Sequence, residues 1–210
     1  MSFTFEPENR NHLESYEWDN TWLEQSRRSD LPRVLYIGDS ISCGIRRQIT
    51  ERSEGRCLVD GFGSSKAIDH PALCECIRLF AAQETRRDVI LLNSGLHGWH
   101  LEDGEEYARH YDAAVAFLKK TYPKTPLYLV LTTAAVDDHC HERVKVRNAG
   151  VRAIAERHAL PLIDLYTASC EHRDLQKPLP DGVHFETEGY ALFADLILSV
   201  LERDGIIAKK

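Results

Sequence analysis

RVLYIGDS, residues 33–40, is the stretch that decides the fold. Arg33 to Ile37 is a short apolar run rich in residues suited to a pleated strand, and Gly38-Asp39-Ser40 closes it with turn-forming residues. The residues that follow, Ile41 to Arg52, can continue as a helix. The unit is therefore strand, tight turn, helix. The same grammar recurs at RCLVD (56–60), DVILLN (88–93), LYLVLTT (127–133) and PLIDL (161–165), each a short apolar run separated from the next by a helical stretch. These runs are nearly continuous in apolar residues and do not alternate, as expected of strands covered by helices on both faces.

The intervening segments carry stripes at the helical period. Tyr107, Tyr111, Ala114, Val115 and Leu118 mark one face, ending before Pro123, while Val144, Asn148, Val151 and Ile154 mark another. A last helix from about Glu186 to Glu202 brings Tyr190, Phe193, Ala194, Ile197 and Leu201 to one side. Five strands alternating with helices predict a five-stranded parallel sheet with right-handed crossovers, hence a three-layer α/β/α sandwich. In such sheets ligands sit at the carboxyl ends of the strands, a rule that selects Ser40, Asn93 and the loop after Thr133.

Composition narrows the function. The 210 residues suit one domain of ordinary size, and 43% hydrophobic with 28% charged residues is the balance of a globular core with a solvated surface. A net charge of −7 with no clustered Lys and Arg argues against nucleic acid as a partner. No stretch approaches the roughly 18 to 20 apolar residues of a membrane span. The acidic N-terminus lacks the apolar core of a signal peptide. A soluble cytoplasmic protein is the expectation. The six cysteines show no CxxC spacing and read as reduced thiols. Residues 1–30, holding Trp18 and Trp22 beside Tyr16 and Leu23, are expected to form a strap packed on the domain of residues 31–210, since large aromatics mainly serve burial. A dimer contact and a wall of the substrate cleft are the other readings.

The chemistry-bearing residues are Ser40 and the pair Asp181 and His184. A serine at a strand-to-helix turn lifts its hydroxyl to the top of the sheet beside unpaired helical N–H groups. Asp and His three apart on one turn can meet, so the carboxylate can orient the imidazole while the other ring nitrogen takes the serine proton. Asp39 reads as a turn or cap residue.

With YIGDSIS at 36–42 and DGVHF at 181–185, the chain resembles the SGNH hydrolases, also called the GDSL esterase family, over roughly residues 32–203. The resemblance implies a flavodoxin-like sheet and a Ser40, Asp181, His184 triad; GDSIS lacks the Gly-x-Ser-x-Gly elbow of the α/β-hydrolases. It also implies an oxyanion hole from the second and third sequence blocks. The second, VDGFGSSKAID, puts Ser65 where the family has glycine, with Gly63 as the alternative N–H donor. The third, LLNSGLHGWH at 91–100, resembles a branch with an Asn-x-Gly-Leu-His pattern and points to Asn93 as side-chain donor, with Gly95 and His97 as lesser candidates.

The expected function is a cofactor-free carboxylic ester hydrolase working through an acyl-enzyme on Ser40, acting on a small or carbohydrate acyl ester. An acyltransferase with the same triad, or a lysophospholipase or thioesterase, is the alternative. His97 and Trp99 are candidate substrate contacts, Trp99 by stacking on a sugar face. The runs Asp137 to Glu142 and His97 to His100 lack a metal-site spacing, so no metal is expected; both loops lie beyond strand ends and are expected to shape the mouth of the site and contact a polar substrate.

Overall fold

The computed structural model describes residues 13–210. Its central sheet contains β1 (Asp19–Trp22), β2 (Arg33–Gly38), β3 (Leu58–Ser64), β4 (Val89–Leu92), β5 (Leu127–Val130) and β6 (Leu162–Ile163). The helices are α1 (Ser40–Arg52), α2 (Leu73–Ala81), α3 (Gly104–Thr121), α4 (Asp138–His158), α5 (Leu165–Glu171) and α6 (Thr187–Arg203). The strands lie in the order β1-β3-β2-β4-β5-β6, and all neighbours from β3 to β6 pair in parallel. This is the three-layer α/β sandwich the strand pattern predicts, with the flavodoxin-like sheet that the family resemblance implies.

One element departs from that prediction. The sheet has six strands, because Asp19–Trp22 pairs antiparallel with β3, Asp19 opposite Ser64 and Trp22 opposite Gly61. All four residues of β1 are exposed, so backbone hydrogen bonds to β3 hold the strand. The predicted strap spans residues 1–30, of which 1–12 lie outside the described residues. Trp22 is 51% exposed and carries the Arg46 guanidinium 5.0 Å from its ring centre, so it serves burial only in part.

Strand β2 shows why the apolar runs are continuous. Val34 and Tyr36 enter one core with Ile41, Ile45 and Ile49 of α1 and Phe193 and Ile197 of α6, whereas Leu35 and Ile37 enter the other with Leu73 and Ile77 of α2 and Tyr107 and Tyr111 of α3. Successive side chains feed opposite layers and both faces are dry. Helix starts follow the sequence: Asp39, Asp103 and Asp137 accept hydrogen bonds from Ile41, Glu105 and Cys140 N–H, capping α1, α3 and α4.

At the amino end of β2 the buried Arg33 pairs with Asp60 at 2.7 Å. Its guanidinium also donates to the carbonyls of Glu24 and Arg28. Glu24, itself buried, accepts from Val59 N–H and Thr50 Oγ1, each at 2.8 Å. Residues 24–28 are thus fastened to the sheet by a buried polar knot.

Candidate active site

The parallel strands run out from β2 in two directions, to β3 on one side and to β4 on the other. The connection therefore reverses at the carboxyl end of β2, which creates a crevice there. Ser40 occupies that point as the first residue of α1. His184 and Asp181 arrive from the loop before α6. Asp181-Gly182-Val183-His184 forms a tight turn that places Gly182 at φ 66°, a left-handed conformation suited to glycine. The loop is anchored three ways: Gly182 O accepts from Val136 N–H at 2.7 Å and from Gln176 Nε2 at 3.2 Å, and His184 O accepts from Lys177 N–H at 2.9 Å.

The three side chains meet. Ser40 Oγ lies 2.8 Å from His184 Nε2, and His184 Nδ1 lies 2.9 and 3.1 Å from the two Asp181 carboxylate oxygens. An ionised carboxylate can only accept, so Nδ1 carries the proton and Nε2 of the neutral ring accepts from the serine hydroxyl. Burial raises the Asp181 carboxyl, but the backbone N–H groups of His184 and Val183 and the imidazole outweigh it and hold the group below its ordinary value. The arrangement suits proton transfer from serine to imidazole beside a fixed negative charge.

The two candidate oxyanion donors from the sequence are engaged elsewhere. The Ser65 N–H donates to Trp18 O at 3.1 Å, a contact made by the residue preceding β1. Asn93 is buried, and its Nδ2 donates to Val130 O at 2.9 Å and Thr132 Oγ1 at 3.1 Å, both on the neighbouring β5 side. Asn93 thus ties β4 to β5. Gly63 lies inside β3, opposite Gly38 and Asn20. At Gly95 an added Cβ would stand 1.9 Å from Thr132 Oγ1, so only glycine fits this close approach.

His97 and its loop are organised by Glu14 and Arg147, which the sequence did not single out, and by Trp18 of the expected strap. Glu14 Oε1 lies 3.4 Å from His97 Nδ1 and accepts from Gly98 N–H at 3.0 Å. Trp18 meets the imidazole edge-on with ring centres 6.0 Å apart. From below, the buried Arg147 of α4 donates to four carbonyls, those of Gly95, His97, Gly98 and Leu101. Its guanidinium also lies over the Tyr107 ring at 4.7 Å. Its place beside Val144, Asn148 and Val151 in an apolar stripe was the one available sequence signal.

Trp99 is half-exposed, with Arg143 stacked on its ring at 4.7 Å. The Asp- and His-rich runs disperse into separate bonds: Asp137 caps α4, His139 meets Arg143, His141 meets Tyr166 and Arg173, and His100 meets Asp69. Among the described residues no three potential ligands gather to hold a metal ion. All six cysteines are free thiols. Among the described residues no helix is long and apolar enough to cross a membrane.

A doubly wound α/β sheet with a Ser-His-Asp chain of hydrogen bonds at its switch point defines the class. Residues 36–192 match the GDSL-like lipase/acylhydrolase family, and the chain belongs to it. No curated protein sequence compared with the chain matches it. Among solved structures it is similar to a lipolytic protein of the G-D-S-L family from Veillonella parvula, with a TM-score of 0.67 and 20% identity over 81% of this chain and 98% of that one. It is also similar to the acetyl xylan esterase AlAXEase, with a TM-score of 0.64 and 19% identity over 80% of this chain and 99% of that one. The C-terminal catalytic domain of Streptococcus pneumoniae peptidoglycan O-acetyltransferase A gives a TM-score of 0.64 and 19% identity over 84% and 96%. At these identities the likeness is one of fold.

Proposed function

We propose that the protein is a serine esterase that removes a small acyl group, acetyl foremost, from a small or carbohydrate alcohol. The observation that carries this reading is the unbroken line from Asp181 through His184 to Ser40 Oγ, with contacts of 2.9 and 2.8 Å. Ser40 Oγ attacks the ester carbonyl while its proton passes to His184 Nε2. The carbonyl–alcohol bond then breaks, and the same proton goes to the departing alcohol oxygen. Water repeats the sequence on the acyl-enzyme, releasing the acid and restoring Ser40. No cofactor is required.

The oxyanion that forms between these steps needs donors. As a first-turn residue, Ser40 has a backbone N–H without an intrahelical partner, which makes it one donor. For the second, the Ser65 N–H is engaged with Trp18 and the Asn93 amide with Val130 and Thr132, so Asn93 would serve by giving up one of those bonds as the oxyanion forms.

Hydrolysis of p-nitrophenyl acetate tests the reading. Activity is expected in the purified protein, and Ser40→Ala is expected to remove it. Undiminished turnover in Ser40→Ala would overturn the proposal. Product analysis with added sugar alcohols separates hydrolysis from acyl transfer, the activity named for one structural neighbour.

A further inference from the structure

An open groove of about 320 Å³ is lined by residues that follow Ser40 and His184 in the chain. Cys43 and Gly44, three and four residues after Ser40 on α1, line its near end and so share a helix face with the serine. Phe185 and Glu186, which follow His184 directly, form the adjoining wall. Its walls therefore continue the segments that carry the serine and, on the other side, the imidazole of the triad. That side matters because His184 must reach the leaving oxygen to protonate it, so the alcohol part of an ester departs past the imidazole.

The groove's charge runs against that of the chain. Arg46, Arg47 and Lys177 line it, against the single carboxylate of Glu186, so its walls carry a net charge of about +2 in a protein of −7. Among the described residues none of the three cations has a carboxylate within ion-pair distance. Most other Lys and Arg side chains along α1 and nearby elements are paired, as Arg52 is with Asp195 and Arg56 with Glu202. Arg46 is held in place by the Trp22 ring of β1 instead of by an acid. Asn20 of the same strand adds a neutral polar group at the rim. Unpaired cations held together repel one another, and an anion relieves that repulsion.

We propose that this groove is the subsite for the alcohol part of the substrate and that it selects alcohols bearing an anionic group, a carboxylate, sulfate or phosphate. Arg47 and Lys177 engage the anion, Arg46 supports them from the Trp22 face, and Tyr190 and Asn20 border the uncharged part of the alcohol. This assignment rests on the esterase reading for its place in a reaction, although the groove's affinity for anions does not.

The test compares 4-acetoxybenzenesulfonate, whose leaving phenol is anionic, with neutral p-nitrophenyl acetate. Each kcat/KM is divided by the rate of alkaline hydrolysis of the same ester, which removes intrinsic reactivity. The normalised ratio is expected to favour the sulfonate about tenfold at low ionic strength and to shrink with added sodium chloride. The double variant Arg47→Glu, Lys177→Glu is expected to bring it to one or below, whereas Lys124→Glu, at the opposite end of the sheet, is expected to leave it unchanged. A wild-type ratio of one, or a preference that survives in the double variant, overturns the proposal. If neither ester is cleaved, the esterase reading fails, and the groove is judged by thermal melting. Sodium sulfate at matched ionic strength then stabilises the wild type more than the double variant if the groove takes anions, and equally if it does not.

Discussion

Asp181 Oδ1 accepts two hydrogen bonds from His184, one from its backbone N–H and one from its imidazole Nδ1, both at 2.9 Å. A single oxygen thereby fixes the position of the residue, the tautomer of its ring and the direction of Nε2. Asp181→Asn keeps an acceptor but removes the charge, and it allows the amide to present N–H groups to the ring and favour the wrong tautomer. The expected result is a fall in kcat of about 10²- to 10⁴-fold with KM little changed. Because Asp181 is held below its ordinary value, its contribution is fully present above the usual carboxylate range and is lost only as pH falls through the lowered value. Steady-state rates between pH 4 and 9 are therefore expected to show no loss due to Asp181 until the pH falls below the usual carboxylate range.

The oxyanion assignment is checked by paired variants. His97→Ala removes a ring that faces Glu14 and Trp18 and is expected to lower kcat by less than the roughly 10²- to 10³-fold cost of an oxyanion donor. Asn93→Ala removes two buried hydrogen bonds between β4 and β5 and is expected to lower stability by about 2 kcal/mol and to reduce kcat by that full cost. The reverse pattern would move the role to His97.

Arg147 controls the same loop from the core. Arg147→Met leaves the carbonyls of Gly95, His97, Gly98 and Leu101 without their donor, at an expected cost of about 2 to 4 kcal/mol. If the residue also positions His97, kcat should fall at temperatures where the variant is fully folded. Circular dichroism beside the p-nitrophenyl acetate assay would separate the two effects.

Arg33→Met tests the knot under the sheet. Removal of the guanidinium strands Asp60 in a buried site, with an expected loss of about 3 to 5 kcal/mol near neutral pH. Burial already raises the Asp60 carboxyl despite the hydrogen bonds from Glu24 N–H and Arg33, and the substitution raises it further. A carboxyl whose folded value lies above its unfolded one penalises folding at high pH and is relieved as it protonates. The gap between the wild-type and variant urea midpoints should therefore narrow as pH falls through the Asp60 range.

The parallel strands were legible because burial on both faces leaves few polar residues, so the runs at 33–37, 56–60, 88–93, 127–133 and 161–165 announce themselves. Strand β1 was not. Its residues DNTW are all exposed, and nothing in their pattern distinguishes an edge strand held by backbone bonds from a loop. The turn carrying Ser40 was readable from Gly38-Asp39-Ser40, and the turn carrying His184 from Asp181 and Gly182, since each is a local conformation set by adjacent residues.

The sequence by itself determined the alternation of strands and helices, the family resemblance, and the three residue types that a serine hydrolase requires. Only the tertiary structure decided which polar groups remain free to act. The partners of the Ser65 N–H and the Asn93 amide lie 47 and 37 residues away, and Glu14 reaches Gly98 across 84. Whether a donor faces the crevice or its neighbour depends on packing between distant segments, and local propensity carries no record of that. The unpaired cations of the groove are likewise visible only in the fold, because a charge counts as unpaired through its surroundings in space.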